Sequence, residues 1–271
     1  MKEKHALDNR MLNWLRKSMD LGCDMAEPVQ QLRAQGFTDA AILAGIETVR
    51  PRGNLLAGGS PPPPLIRRQP ANLRRIGVPD VELYTLEEFL NAKECDRLIA
   101  LIGHHLSPSR LAAKADVAGD RTSQTAELCH LRSPTAVEID AKICKTLGIR
   151  AAYSEGVQAQ RYDVGQQFKP HFDFFEPGTE MYRRLAGLRG NRTWTFMVYL
   201  NDGMQGGATR FTEIDHAVEP RAGLALFWNN LKADGSPNRL TRHCGEPVTG
   251  GHKIIITKWF RIHGDGPAFH E

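Results

Sequence analysis

After residue 155 the chain offers no helix-length pattern. Gln158 to Tyr162, Arg192 to Leu200, Gly223 to Trp228 and Lys253 to Ile262 are short runs rich in Val, Ile, Thr and aromatic residues, bounded by Gly and Pro turns. Parallel strands need crossovers that are usually helical, and no helix-length pattern separates these runs. An antiparallel β core with helices packed outside is the architecture left.

Upstream the pattern differs. Glu82 to Leu86 reads as a strand, Leu86 to Leu106 as an amphipathic helix, and Pro134 to Leu147 as another helix. Residues 1–50 are expected to form a helical N-terminal region, with Leu12, Leu15 and Met19 on one face, and Val29, Leu32, Ile42, Leu43 and Ile46 on the apolar side of later segments. Thr38-Asp39 marks a helix start. Residues 51–77 contain Gly58-Gly59-Ser60 and Pro61 to Pro64, a run that neither a helix nor a strand ladder survives, and read as a linker. The main domain is expected over 78–265, with a tail at 266–271.

Composition narrows the function classes. Lys and Arg total 35 against 31 Asp and Glu, a net +4 over 271 residues, which is no argument for a nucleic-acid partner. No stretch has the roughly 18 apolar residues of a membrane span, and the first residues lack an apolar signal core. The five cysteines never form C-x-x-C, so reduced thiols and a cytoplasmic setting are expected.

His171 and Asp173 are two residues apart. On an extended strand both side chains share a face. An imidazole and a carboxylate make two-thirds of a facial triad, and His243 is available for the third position. Three ligands on one octahedral face leave three positions open, the arrangement of non-haem Fe(II) oxygen chemistry. The H-x-D spacing is weak by itself, since His263-Gly264-Asp265 repeats it in a tail-like segment. Ten residues after His243, Lys253 opens K-I-I-I-T-K-W-F-R. Alternation places Lys253, Ile255, Thr257 and Trp259 on one face, and Ile254, Ile256, Lys258 and Phe260 on the other. Either an anion docks at Lys253, or the lysine sits at the strand end and reaches solvent.

Taken in order, these segments resemble a known family. Y-D-V-G-Q-Q-F-K-P-H-F-D, R-T-W-T-F-M-V-Y-L-N-D with G-G-A-T-R-F, and R-H-C-G-E-P-V-T-G-G-H-K-I-I-I-T-K-W are similar to the catalytic domain of the prolyl 4-hydroxylase alpha-subunit group of Fe(II)/2-oxoglutarate dioxygenases. Arg121-Thr122-Ser123 resembles an upstream substrate-loop motif. The resemblance runs from about Val81 to Arg261. It implies a mostly β fold, a double-stranded β-helix of the jelly-roll, cupin-like kind with flanking helices, beside a small N-terminal helical appendage. It implies Fe(II) held by His171, Asp173 and His243, and 2-oxoglutarate held by Lys253, Tyr162 and Thr209. It implies O2 as cosubstrate, ascorbate as reductant, and hydroxylation of an unactivated C–H with release of succinate and CO2.

The target implied is a prolyl residue in a peptide or protein. The same chemistry on a free amino acid or small metabolite is the alternative, and a cupin-like sensor without turnover is a second. Among weaker candidates, Tyr199 and Thr195 share the inward face of their strand and either line the pocket or pack the core. Trp228 and Trp259 flank a substrate mouth or are core. Arg121 contacts substrate or is solvated. Oligomeric state has no sequence signature here.

Overall fold

The computed structural model describes residues 4–20, 26–49, 70–109, 121–131, 133–186 and 189–264. The Pro/Gly run at 51–69, Asp265 and the tail at 266–271 lie outside the described residues.

Three helices come first: α1 (Asn9–Asp20), α2 (Ala26–Ala34) and α3 (Asp39–Val49). They close on their own small core of Leu15, Leu32, Phe37, Ala41, Ile42, Ile46 and Val49. Thr38 starts α3 as expected, its hydroxyl accepting from the Ala41 amide at 3.2 Å. Leu43 departs from expectation and is 63% exposed. It follows Ile42 by about 100° of helical rotation, so the two cannot share a narrow buried face.

From β1 (Leu73–Arg75) onward the chain builds β structure. That strand starts the sheet within the stretch expected as linker, five residues before the expected domain edge at 78. It is followed by β2 (Leu83–Leu86), α4 (Ala92–Gly103), β3 (Ser107–Pro108), β4 (Gln124–Glu127), α5 (Pro134–Leu147), β5 (Gln158–Asp163) and β6 (Phe168–His171). Then come α6 (Glu180–Ala186), β7 (Arg192–Tyr199), β8 (Gln205–Gly206), β9 (Thr209–Phe211), β10 (His216–Val218), β11 (Ala225–Asn229), β12 (His243–Gly245), β13 (Val248–Gly250) and β14 (His252–Arg261). The helix expected from Leu86 begins later, because Leu86 completes β2. Asn91 caps α4 through a capping box with Glu94.

All the paired strands are antiparallel. One sheet has the order β1-β2-β11-β7-β14-β5-β4-β3, and a second has β10-β9-β12-β6. Crossing between sheets from β5 to β6 to β7, and from β7 to β9, β10 and β11, winds the chain into a jelly roll.

Alternation along the central strands separates two cores. Trp194, Phe196 and Val198 of β7, with Phe227 of β11 and Ile254, Ile256 and Phe260 of β14, pack against Leu98 and Ile102 of α4 and Ile139 and Ile143 of α5. Met197 and Tyr199 of β7, Leu226 and Trp228 of β11 and Ile255 of β14 face the other way. They meet Phe211 of β9 and Val218 of β10 between the sheets. Gly223 (φ +79°) makes the turn into β11, and a Cβ there would collide with the Leu90 carbonyl oxygen. The helices thus brace the outer face of the large sheet, and the space between the sheets remains for chemistry.

Candidate active site

His171 ends β6 and His243 opens β12, and the two are direct cross-strand partners. Their ring centroids lie 4.3 Å apart. Asp173 lies just past the end of β6 rather than within it, yet its carboxylate turns to the same side. One ligand atom from each of the three falls within 4.8 Å of the others. Asp173 Oδ1 is 3.8 Å from His171 Nε2, and Oδ2 is 3.9 Å from His243 Nε2.

The histidine tautomers follow from their backbone partners. His171 Nδ1 meets the Lys169 carbonyl at 2.8 Å, and His243 Nδ1 meets the Thr241 carbonyl at 2.9 Å. A carbonyl only accepts, so each Nδ1 carries its hydrogen and each Nε2 presents a lone pair. Burial, then the neighbouring His243, lowers His171 to about 3, so its imidazole is neutral at pH 7. Burial alone would raise Asp173, but the two imidazoles, Arg192 and the Thr195 hydroxyl outweigh it and keep the carboxylate ionised. Two imidazoles held by their Nδ1 hydrogen bonds and one carboxylate, each oriented before any metal arrives, fit a divalent iron.

The other end of the cavity suits an anion. Lys253 is 1% exposed, so it does not reach solvent from the strand end. Its Nζ donates to the Gly207 carbonyl at 2.8 Å and stands 4.6 Å from the Tyr162 ring centroid. Among the described residues, no carboxylate forms an ion pair with it. Burial pulls Lys253 down to about 8. Gly245 preserves the room, since a Cβ there would stand 3.3 Å from Lys253 Nζ. Thr209 faces the same cavity, and the Tyr199 hydroxyl donates to Thr209 Oγ1 from behind at 2.6 Å.

Arg121, Tyr162, His171, Asp173, Thr209, Trp228, His243, Lys253 and Trp259 all line this one cavity, together with Phe168, Met197, Gly245, Ile255, Gln160 and Thr257. Tyr199 and Thr195 are the exceptions, standing behind the wall. Trp228 packs edge-on to His243 at 4.8 Å and Phe168 stacks on His171 at 3.5 Å. Arg121 is half-buried and tied to its neighbours. Its guanidinium donates to Ser123, Thr125 and Gln158 and stands 5.2 Å from the Phe168 ring centroid.

Sequence reasoning missed several residues. Gln160 lies two before Tyr162 on β5, so alternation could have placed it inside. Its Nε2 donates to Gln158 and its Oε1 accepts from Thr257, making a polar strip that leads to Arg121. Asn230, behind Trp228, lies past the end of β11, where no periodicity signals it.

Residues 157–261 match the family model of the 2OG-Fe(II) oxygenase superfamily. The span holds the three triad residues, Lys253, Tyr162 and Thr209. The chain is 37% identical over 159 residues to prolyl 4-hydroxylase subunit alpha-1 of Rattus norvegicus, covering 58% of this chain and 29% of that one. Against prolyl 4-hydroxylase subunit alpha-3 of Mus musculus it is 32% identical over 207 residues, covering 74% and 37%. This chain therefore spans well under half the length of these relatives. Among solved structures, a viral collagen prolyl hydroxylase from Paramecium bursaria Chlorella virus-1, in complex with 2OG, is 24% identical, covers 66% of this chain and 95% of that one, and has a TM-score of 0.48.

Proposed function

We propose that this chain is an Fe(II)- and 2-oxoglutarate-dependent dioxygenase that hydroxylates a prolyl residue in a peptide or protein, a reading supported by the match of residues 157–261 to the 2OG-Fe(II) oxygenase superfamily model. The observation that carries the reading is the presence of the oriented triad and the buried Lys253 ammonium in one cavity. When bound, Fe(II), 2-oxoglutarate and O2 supply oxidative decarboxylation to succinate and CO2 coupled to hydroxylation of a C–H bond.

The chain's own residues orient, neutralise and enclose. His171 and His243 offer Nε2 lone pairs, and Asp173 offers one negative charge. Lys253 keeps its proton on Nζ and holds the distal carboxylate of the oxo-acid through a charge-assisted hydrogen bond. Thr209 adds a hydroxyl beside it. The charges balance: a carboxylate and a dianion face a divalent cation and an ammonium, so a low-dielectric cavity can hold all four. Phe168, Met197, Trp228 and Ile255 wall the space and exclude water. Arg121 and the glutamine strip supply donors and acceptors where a peptide backbone would enter. Ascorbate as reductant and a cytoplasmic setting complete the reading, the latter supported by free thiols at Cys95 and Cys244.

The test is anaerobic titration with Fe(II) and 2-oxoglutarate, then O2 with a panel of proline-containing peptides and free amino acids, read by mass spectrometry. Succinate release with one oxygen atom added to a prolyl residue is expected. Oxygen on a free amino acid alone would replace the peptide substrate, and no succinate at all would leave a sensor in place of an enzyme.

A further inference from the structure

Behind the cavity wall a one-way chain of hydrogen bonds ends on Asp173. Trp228 Nε1 lies 2.9 Å from Asn230 Oδ1, Asn230 Nδ2 lies 2.8 Å from Thr195 Oγ1, and Thr195 Oγ1 lies 2.7 Å from Asp173 Oδ2. Thr195 and Asn230 are 0% exposed, Trp228 1% and Asp173 7%.

Chemistry sets the direction of every link. An indole N–H only donates, so the oxygen of the Asn230 amide must face Trp228. Its nitrogen then faces Thr195 and donates. With a lone pair engaged, the Thr195 hydroxyl directs its single hydrogen at the ionised carboxylate. Asn230 is also pinned through its backbone: its N–H donates to the Thr193 carbonyl at 2.6 Å, and its carbonyl accepts from the Asn238 N–H at 2.9 Å.

We infer that Thr195 and Asn230 are positioning residues that occupy Asp173 Oδ2 and present Oδ1 alone to the metal. The inference rests on the metal site proposed above. The two carboxylate oxygens stand almost equally far from their imidazole neighbours, at 3.8 and 3.9 Å. The hydrogen bond from Thr195 is what distinguishes them. Were both oxygens to bind, one of the three positions needed by a two-point oxo-acid and O2 would be lost. Packing alone does not call for this chain, because valine has the shape of threonine and buried polar groups cost stability unless each is satisfied.

The test uses the full chain stripped of metal and titrated with Co(II) against a competing chelator, with thermal melting recorded alongside. Thr195→Val keeps the shape and removes the donor, whereas Thr195→Ser keeps the donor. Wild type and Thr195→Ser are expected to give the same Co(II) visible absorption. Thr195→Val is expected to give an altered spectrum and an affinity lower by about 10–100-fold. A Thr195→Val spectrum identical to wild type, or a serine variant that behaves like valine, overturns the inference. Should Thr195→Val not fold, Asn230→Ala releases the hydroxyl without touching Thr195 and is read by the same criteria. Wild-type protein that takes up no Co(II) overturns the metal site itself, a result separable from the others.

Discussion

Lys253 is the residue on which the chemistry turns most visibly. A buried ammonium whose one hydrogen-bond partner shown is a backbone carbonyl has donors to spare for a carboxylate. Lys253→Ala should weaken 2-oxoglutarate binding by about 1.5–3 kcal/mol, the worth of a hydrogen bond to a charged group, measured by titration of the metal-loaded protein. The pH dependence follows in sign. Burial lowers Lys253 to about 8 in the ligand-free protein, and a bound dianion raises it again. Affinity is therefore fully present at pH 7 and falls as pH rises through about 8, by up to about tenfold per pH unit. His171→Ala, Asp173→Ala and His243→Ala should each abolish succinate formation while leaving the melting transition largely in place. Full turnover in any one of them would refute the iron assignment. Motif spacing exposed these residues because a ligand must be a particular chemical type. Gln160 was open to alternation from Tyr162, but Asn230 was invisible, because an amide past a strand end has no spacing of its own.

At the level of elements, polarity alternation carried most of the information. On β14 the two faces deduced from the sequence are those observed, with Lys253, Ile255, Thr257 and Trp259 inward and Ile254, Ile256 and Phe260 against the helices. Lys258 was placed correctly but not explained: it lies under the helix layer, paired with Asp140 at 2.5 Å and donating to the Glu155 carbonyl at 2.8 Å. That partner is 118 residues away and leaves no local trace. The start of α4 was also misplaced, because an apolar period runs through a cap without marking it. Asn91 marks it chemically, accepting from the Glu94 amide at 3.0 Å while Glu94 returns a bond at 2.8 Å. Asn91→Ala should lower stability by about 1 kcal/mol in denaturant unfolding, with 2-oxoglutarate affinity unchanged. A loss of affinity in that variant would mean that α4 does more than brace the sheet.

For the whole molecule, the three cores share no residue, and the N-terminal one is built from residues 7–49 alone. Leu32 is fully buried there. Leu32→Asp should abolish the helical signal of that unit, since burying a lone carboxylate is prohibitive, while Co(II) and 2-oxoglutarate still bind. Loss of binding would show that the helices support the β domain. The division of labour across β14 has a further consequence, for heredity. Every position on that strand serves one of two unlike neighbours, so its identity depends on whether its place in the strand is odd or even. A single-codon deletion between Lys253 and Lys258 would reverse the facing of one flank, sending either Lys258 toward the metal cavity or Lys253 into the hydrocarbon beneath α4 and α5. Lineages carrying this domain can therefore vary the strand by substitution, or by changes of two residues at a time, but the parity of its reading is closed to them.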